Sequence, residues 1–216
     1  MKHTVQNLLL AAAVAVAPVT VGAVTLTVDD LGTAGVDHTI MGGSVANFSG
    51  TAGGFNVSIA SASIVSQVDS HLLNTTSIET SGIGNLQITA TESGLTDFGA
   101  LALSLEGTGS ISDISEKVSV SHFIDTGAGW TLIGNVMDFF KVGGNAQSDS
   151  VAASVPAPGG TFALRSIIDI TTNANDQTSN VNATLVAAVP VPAAGLMLLS
   201  ALGGLGFARR RRNKTA

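Results

Sequence analysis

The sequence predicts an all-β fold: a single antiparallel β-sandwich, jelly-roll-like, flanked by an N-terminal signal helix and a C-terminal transmembrane helix. Three observations predict it. Short stretches such as VTLTV (24–28) and FNVSI (55–59) alternate apolar with small polar residues, the period of a strand with one buried face. Breaks rich in Gly, Asn or Asp, among them GTAG, SGTAGG, EGTGS, DTGAG, GGNAQSD and TTNANDQTSN, separate these stretches. Several short strands with such turn signals favour a sandwich over alternating strands and helices. A length of 216 residues fits one domain with processed ends, divided at 1–23, 24–188 and 189–216.

The first segment has three parts: MKH, a short positive start; LLLAAAVAVAPVTV, an apolar stretch; and small residues Val21 and Ala23 at the −3 and −1 positions of a cleavage site. That is the design of a secretory signal peptide, so signal peptidase is an expected partner and the exported chain starts near Val24.

After VTLTV and FNVSI come LQITA (86–90), LALSL (101–105) and VSVSHFI (118–124), each alternating. WTLIGNVMDFFKV from Trp130 and FALRSIIDI from Phe162 are less strict, and VNATLVAAV, Val181 to Val189, closes the domain. Ser112 to Ser119 (SDISEKVS) reads as a capped helical turn or as the lead into the next strand. VSQVDSHLL from Val65 reads as either helix or strand, and PAPGG (156–160) reads as a turn.

The tail holds 16 uncharged residues from Ala193 to Ala208, followed by Arg209, Arg210, Arg211 and Arg212. At about 1.5 Å per residue they reach roughly 24 Å, short of a hydrocarbon core of about 30 Å. Counting from Val189 makes the length sufficient but includes Pro190 and Pro192. The arginines would stop transfer and stay on the cytoplasmic side, leaving the rest of the chain outside. Val189, Pro190, Val191, Pro192 and Ala193, then the short apolar helix and the Arg cluster, resemble the VPLPA-type variant of the PEP-CTERM sorting domain, with Val191 where the family's pattern has Leu. The resemblance covers about 25 residues. It implies export by a Gram-negative bacterium and processing by an exosortase, a membrane-embedded cysteine transpeptidase-like enzyme, often in organisms that make extracellular polysaccharide. It implies nothing about the domain between the two ends. An ordinary single-pass anchor that stays intact is the other reading of the same residues.

Composition excludes several chemistries. With no cysteine, thiolate zinc sites, iron–sulfur clusters and cysteine nucleophiles are absent. All 15 Asp and Glu lie between Asp29 and Asp176, where only Lys117, Lys141 and Arg165 are basic, so that stretch carries −12 against −6 for the whole chain. A surface that acidic does not bind nucleic acid.

No catalytic, cofactor or metal residue is assigned. Asp97-Phe98-Gly99 spells a kinase triplet without its companions and reads as a turn. His38, His71 and His122, with Asp37 or Asp125, lack a Gly-x-Ser-x-Gly elbow or ligand spacing. Asp29, Asp30, Asp149 and Asp176 offer oxygens for calcium, but no D-x-D-x-D-G loop holds them. The Asn-x-Ser/Thr matches at Asn47, Asn56, Asn74 and Asn182 are assigned no modification.

The expected function is therefore that of a non-enzymatic cell-surface or extracellular-matrix protein, with exopolysaccharide a candidate partner. The rival is a secreted glycan-binding or glycan-cleaving module, which calls for Trp130 at a surface or a close carboxylate pair. The seven phenylalanines from Phe48 to Phe162 read as core rather than as a sugar platform.

Overall fold

The computed structural model describes residues 23–67, 70–96, 101–111, 117–140, 147–156 and 159–188. These form ten antiparallel strands: β1 (Val24–Asp30), β2 (His38–Met41), β3 (Val45–Ala52), β4 (Phe55–Gln67), β5 (Ser70–Thr96), β6 (Leu101–Ile111), β7 (Lys117–Asp125), β8 (Trp130–Phe140), β9 (Gln147–Val155) and β10 (Thr161–Ala188). No α-helix occurs among the described residues, and none there is long and apolar enough to cross a membrane. The expected signal helix and tail helix lie outside them.

Two strands organise the rest. β5 and β10, 27 and 28 residues long, pair with each other from Thr96↔Thr161 to Ser70↔Ala188. The C-terminal half of β5 and the N-terminal half of β10 carry β1 with β2 on one side and β7 with β8 on the other. The opposite halves carry β4 with β3 and β6 with β9. The sheet folds over at a crease where pairing slips between Thr172 and Asp176, opposite Gly84 and Gly82. Two layers result, since β1 packs on β3 and β4, and β8 on β9. Strands that change layers through bends are a known way to close a sandwich. At the crease the Thr172 hydroxyl donates to the Gly82 carbonyl at 2.6 Å. A Cβ on Gly82 would meet Phe55 Cδ1 at 2.6 Å, so glycine there lets the Phe55 ring lie on the strand.

The alternation seen in the sequence becomes the core. Val24, Leu26 and Val28 of β1, Leu86, Ile88 and Ala90 of β5, and Leu164, Ile168 and Ile170 of β10 face Phe55, Val57, Ala60 and Ala62 of β4 and Leu73 and Ile78 of β5. Each such Val, Leu, Ile or Phe side chain contributes about 1.5–3 kcal/mol when removed from water.

The layers are also tied by polar contacts at the ends. The Asp30 carboxylate, 6% exposed, accepts from the Gly32 amide at 2.9 Å and from the Gly54 amide at 2.8 Å, joining β1 to the β3–β4 turn in the other layer. Gly53 in that turn has φ of 51°, a conformation that favours glycine, and a Cβ there would fall on the Asp30 carboxylate. His38 donates through Nε2 to the Thr51 carbonyl at 2.7 Å and lies 4.6 Å, centroid to centroid, from the Phe48 ring.

Several expected boundaries are corrected. TTNANDQTSN, read as a break, lies inside β10; EGTGS lies inside β6; and HTIM, VANFSGTA and QSDSVAASV form strands that the alternation did not single out. Polar runs without a clear apolar face are held here by their partners' ladders. Of the Val65 segment, Val65–Gln67 and Ser70–Leu73 are strand, so the strand reading holds for those residues. Lys117 to Ser119 belong to β7, whereas 112–116 lie outside the described residues, as does Asp97-Phe98-Gly99.

Candidate functional site

The sorting residues Val189, Pro190, Val191, Pro192 and Ala193, the cluster Arg209 to Arg212, and Val21 lie outside the described residues. Ala23 is exposed and immediately precedes β1. The three body histidines fall on different strands: His38 on β2, His71 on β5 at the far end of the second layer, His122 on β7. No group of three or more metal-ligating side chains occurs among the described residues. Asp125 accepts from the amides of Gly127 at 2.8 Å and Gly129 at 3.0 Å, shaping the β7–β8 turn instead of orienting a histidine.

The structure does place a histidine against a serine. His122 Nδ1 lies 2.8 Å from Ser166 Oγ, and both residues, with Glu92 nearby on the same inward face, are 0% exposed. The sequence reading weighed neither Ser166 nor Glu92. Their signal was parity: His122 continues the inward series Val118, Val120, and Ser166 interrupts Leu164, Ile168, Ile170. A hydroxyl sealed between two layers meets no substrate. The pair satisfies buried hydrogen-bonding groups in the core.

The outward face of the first layer is different in character. Registers across five strands place Asp29 (β1), Gln87 (β5), Asp169 (β10), Ser119 (β7) and Asp138 (β8) in one row perpendicular to the chain direction. With strands about 4.8 Å apart, four intervals give a row roughly 19 Å long. Gln87 Nε2 donates to Asp169 Oδ1 at 2.9 Å, and Ser119 Oγ donates to Asp138 Oδ1 at 2.7 Å. Two further rows run parallel to it, Thr27–Thr89–Ile167–Ser121 and Thr25–Thr91–Arg165–Phe123–Leu132. Among the described residues no element lies over this face.

Its aromatic corner is preset. The Arg165 guanidinium sits 3.8 Å from the centroid of the Trp130 ring and donates through Nε to Thr91 Oγ1 at 3.2 Å. Burial pushes the Arg165 group below its ordinary value while Asp125 pulls it back up. It stays charged, a flat fork of donors held by a cation–π contact. Trp130 is half-buried, not sealed in the core. Of the seven phenylalanines, Phe55, Phe139 and Phe162 are buried, while Phe48 and Phe123 are half-buried.

Asp138 closes the row at the sheet edge, in a 3.1 Å ion pair with Lys117 whose side chains are 41% and 39% exposed. Burial is the largest single influence and raises its pKa, but the Ser119 hydroxyl and Lys117 together outweigh it and hold the group below the ordinary 3.8. A depressed carboxylate stabilises the fold above its unfolded value and loses that contribution as pH falls through the folded one. Asp138→Asn is expected to cost less than about 1 kcal/mol at neutral pH, the usual range for an exposed pair. The difference from wild type should close below pH 3.8, as read from thermal melts at the two pH values.

The second layer's open face offers a contrast. Its row Val45–Ser63–Asn74–Thr184 starts at an exposed valine and continues with small polar groups, Thr184 Oγ1 donating to Asn74 Oδ1 at 3.1 Å, and its described outward residues include no aromatic ring.

No family model matches the chain, and no curated protein does. Among solved structures, the infectious bursal disease virus Gx strain matches with a TM-score of 0.39 and 9% identity over 82% of this chain and 53% of that one, so the chain spans about half its length. A structure described as TmCBM61 in complex with β-1,4-galactotriose matches with a TM-score of 0.28 and 10% identity, over 66% of this chain and 81% of that one. The family 11 carbohydrate-binding module from Clostridium thermocellum matches at 0.29 and 14%, over 79% and 99%. Superpositions this loose assign neither ligand nor site to the present chain.

Proposed function

We propose that this chain is an exported, non-enzymatic, jelly-roll-like β-sandwich of the cell surface or extracellular matrix, and that it binds polysaccharide through the open face of its first layer. The observation that carries the binding reading is the row Asp29–Gln87–Asp169–Ser119–Asp138 beside the Trp130–Arg165 corner. Sugar rings present hydroxyls that both donate and accept, with weakly apolar C–H faces between them. Carboxylate, amide, hydroxyl and guanidinium groups set on a rigid sheet meet the hydroxyls; an aromatic edge meets the C–H faces. Hydrolysis would need two carboxyl groups flanking one glycosidic bond, one of them protonated to act as the acid. Here Asp169 is held by the Gln87 amide, and Asp138 by the Ser119 hydroxyl and Lys117, which keep the Asp138 carboxyl ionised rather than poised as an acid; this supports binding rather than cleavage.

Export is supported by the charged, apolar and small-residue sequence ending at Ala23, and by the tail that resembles a PEP-CTERM signal, with signal peptidase and an exosortase-like enzyme as processing partners. The test is intact mass and fractionation of the native protein, with and without replacement of Arg209 to Arg212 by Gln. Wild type should lose the segment beyond the Val189–Ala193 motif and appear outside the cell, while the variant stays in the membrane. Wild type retaining its tail through Ala216 would make the segment an anchor only.

A further inference from the structure

Resting on the polysaccharide reading above, we infer that the row takes an internal stretch of a linear, extended, uncharged hexose polymer laid across the strands, with about one sugar unit per strand. Three features of the face carry this.

The first is pitch. The row offers one polar side chain on each of five consecutive strands, at the inter-strand spacing of about 4.8 Å. That spacing is close to the length one hexose adds to an extended β-linked chain, so successive units meet equivalent positions. A coiled polymer would touch the row at one point and lift away.

The second is that the row is open at its β8 end. On that side it finishes at Asp138 on β8, which among the described residues pairs only with β7. On the other, Asp29 lies beside the half-buried Asp37, whose oxygens accept from the Asp30 amide at 2.9 Å and the Thr33 hydroxyl at 3.2 Å. Asp29 has its Oδ1 buried and offers only the rest of its side chain, whereas the exposed Asp138 margin lets the polymer run on past the row.

The third is charge. Asp29, Asp169 and Asp138 belong to the row; Lys117 is engaged with Asp138, and Arg165 one row over lies on Trp130 near Asp125. Within a stretch of net −12, a polymer bearing carboxylates or sulfates would be repelled. Uncharged hydroxyls, which donate to carboxylates, are the complementary groups.

The probes are soluble neutral β-linked glucan, galactan and mannan, their oligosaccharides from disaccharide to hexasaccharide, and alginate as the anionic comparator. Trp130, the one tryptophan, reports binding by its emission. At least one neutral polymer should bind. Its oligosaccharides should gain several-fold in affinity per added unit up to about the tetrasaccharide, the length that spans ~19 Å of row, and then level off. A disaccharide binding as tightly as the hexasaccharide would overturn the across-strand placement while leaving glycan binding intact. Binding to alginate alone would overturn the uncharged class. No response to any polymer, by emission and by co-sedimentation, would overturn this inference and the proposed function together.

Discussion

Replacing Asp30 with alanine is expected to lower the stability of the sandwich by about 3 kcal/mol, the sum of two partly buried hydrogen bonds to a charged acceptor. Asp30 lies at the end of β1, 6% exposed, and its two carboxylate oxygens serve different layers: Oδ1 takes the Gly32 amide, Oδ2 the Gly54 amide. Alanine leaves both N–H groups without that acceptor. Its backbone N–H still reaches Asp37, so the local turn survives while the cross-layer tie is lost. A domain of this size has about 5–15 kcal/mol in total, so the loss is a large fraction of it. The melting temperature should fall by roughly 6–12 °C. Asp30→Asn keeps one acceptor oxygen and should recover about half of the loss. A melting temperature within about 2 °C of wild type for Asp30→Ala would show that the tie is not made in solution.

Asp169→Ala should do the opposite, leaving stability nearly unchanged and removing affinity for polysaccharide. Asp169 is half-buried at the centre of the row, where its Oδ1 is held by Gln87 Nε2 at 2.9 Å. Losing one charge-assisted hydrogen bond to a sugar hydroxyl costs about 1.5–3 kcal/mol, or roughly 10- to 150-fold in dissociation constant. The fold should lose less than about 1 kcal/mol, as surface substitutions usually do. Trp130 emission titrated with the bound polymer reads the first quantity, and a thermal melt reads the second. Asn56→Ala, on an exposed position of β4 in the other layer, should change neither. Equal affinities for wild type and Asp169→Ala would remove the row from the binding site.

How much of this was legible depended on where each signal resides. The inward residues of β1, β5 and β7 could be read directly, because Val24–Val28, Leu86–Ala90 and Val118–Ile124 alternate on one strand and need no partner to declare a face. TTNANDQTSN could not, because its membership in β10 is imposed from outside: Asp176 pairs Gly82 and Thr178 pairs both Thr80 and Ile111, with pairing slips on either side. The buried pair His122–Ser166 was half legible, since parity places each side chain inward but only the β7–β10 register sets them opposite each other. The row from Asp29 to Asp138 was not legible at all. Its five residues belong to five strands, and no short segment contains two of them. Trp130 was singled out from composition alone, whereas its contact with Arg165 depends on β10 and β8 both flanking β7.

The most direct test of polysaccharide binding at this face is backbone amide mapping by NMR while a neutral oligosaccharide that binds is titrated in. Shift changes centred on Gln87, Asp169 and Ser119, extending to Thr91 and the Trp130 indole, are the predicted result. Changes centred instead on Ser63, Asn74 and Thr184 of the opposite layer, or on the turns alone, would contradict it.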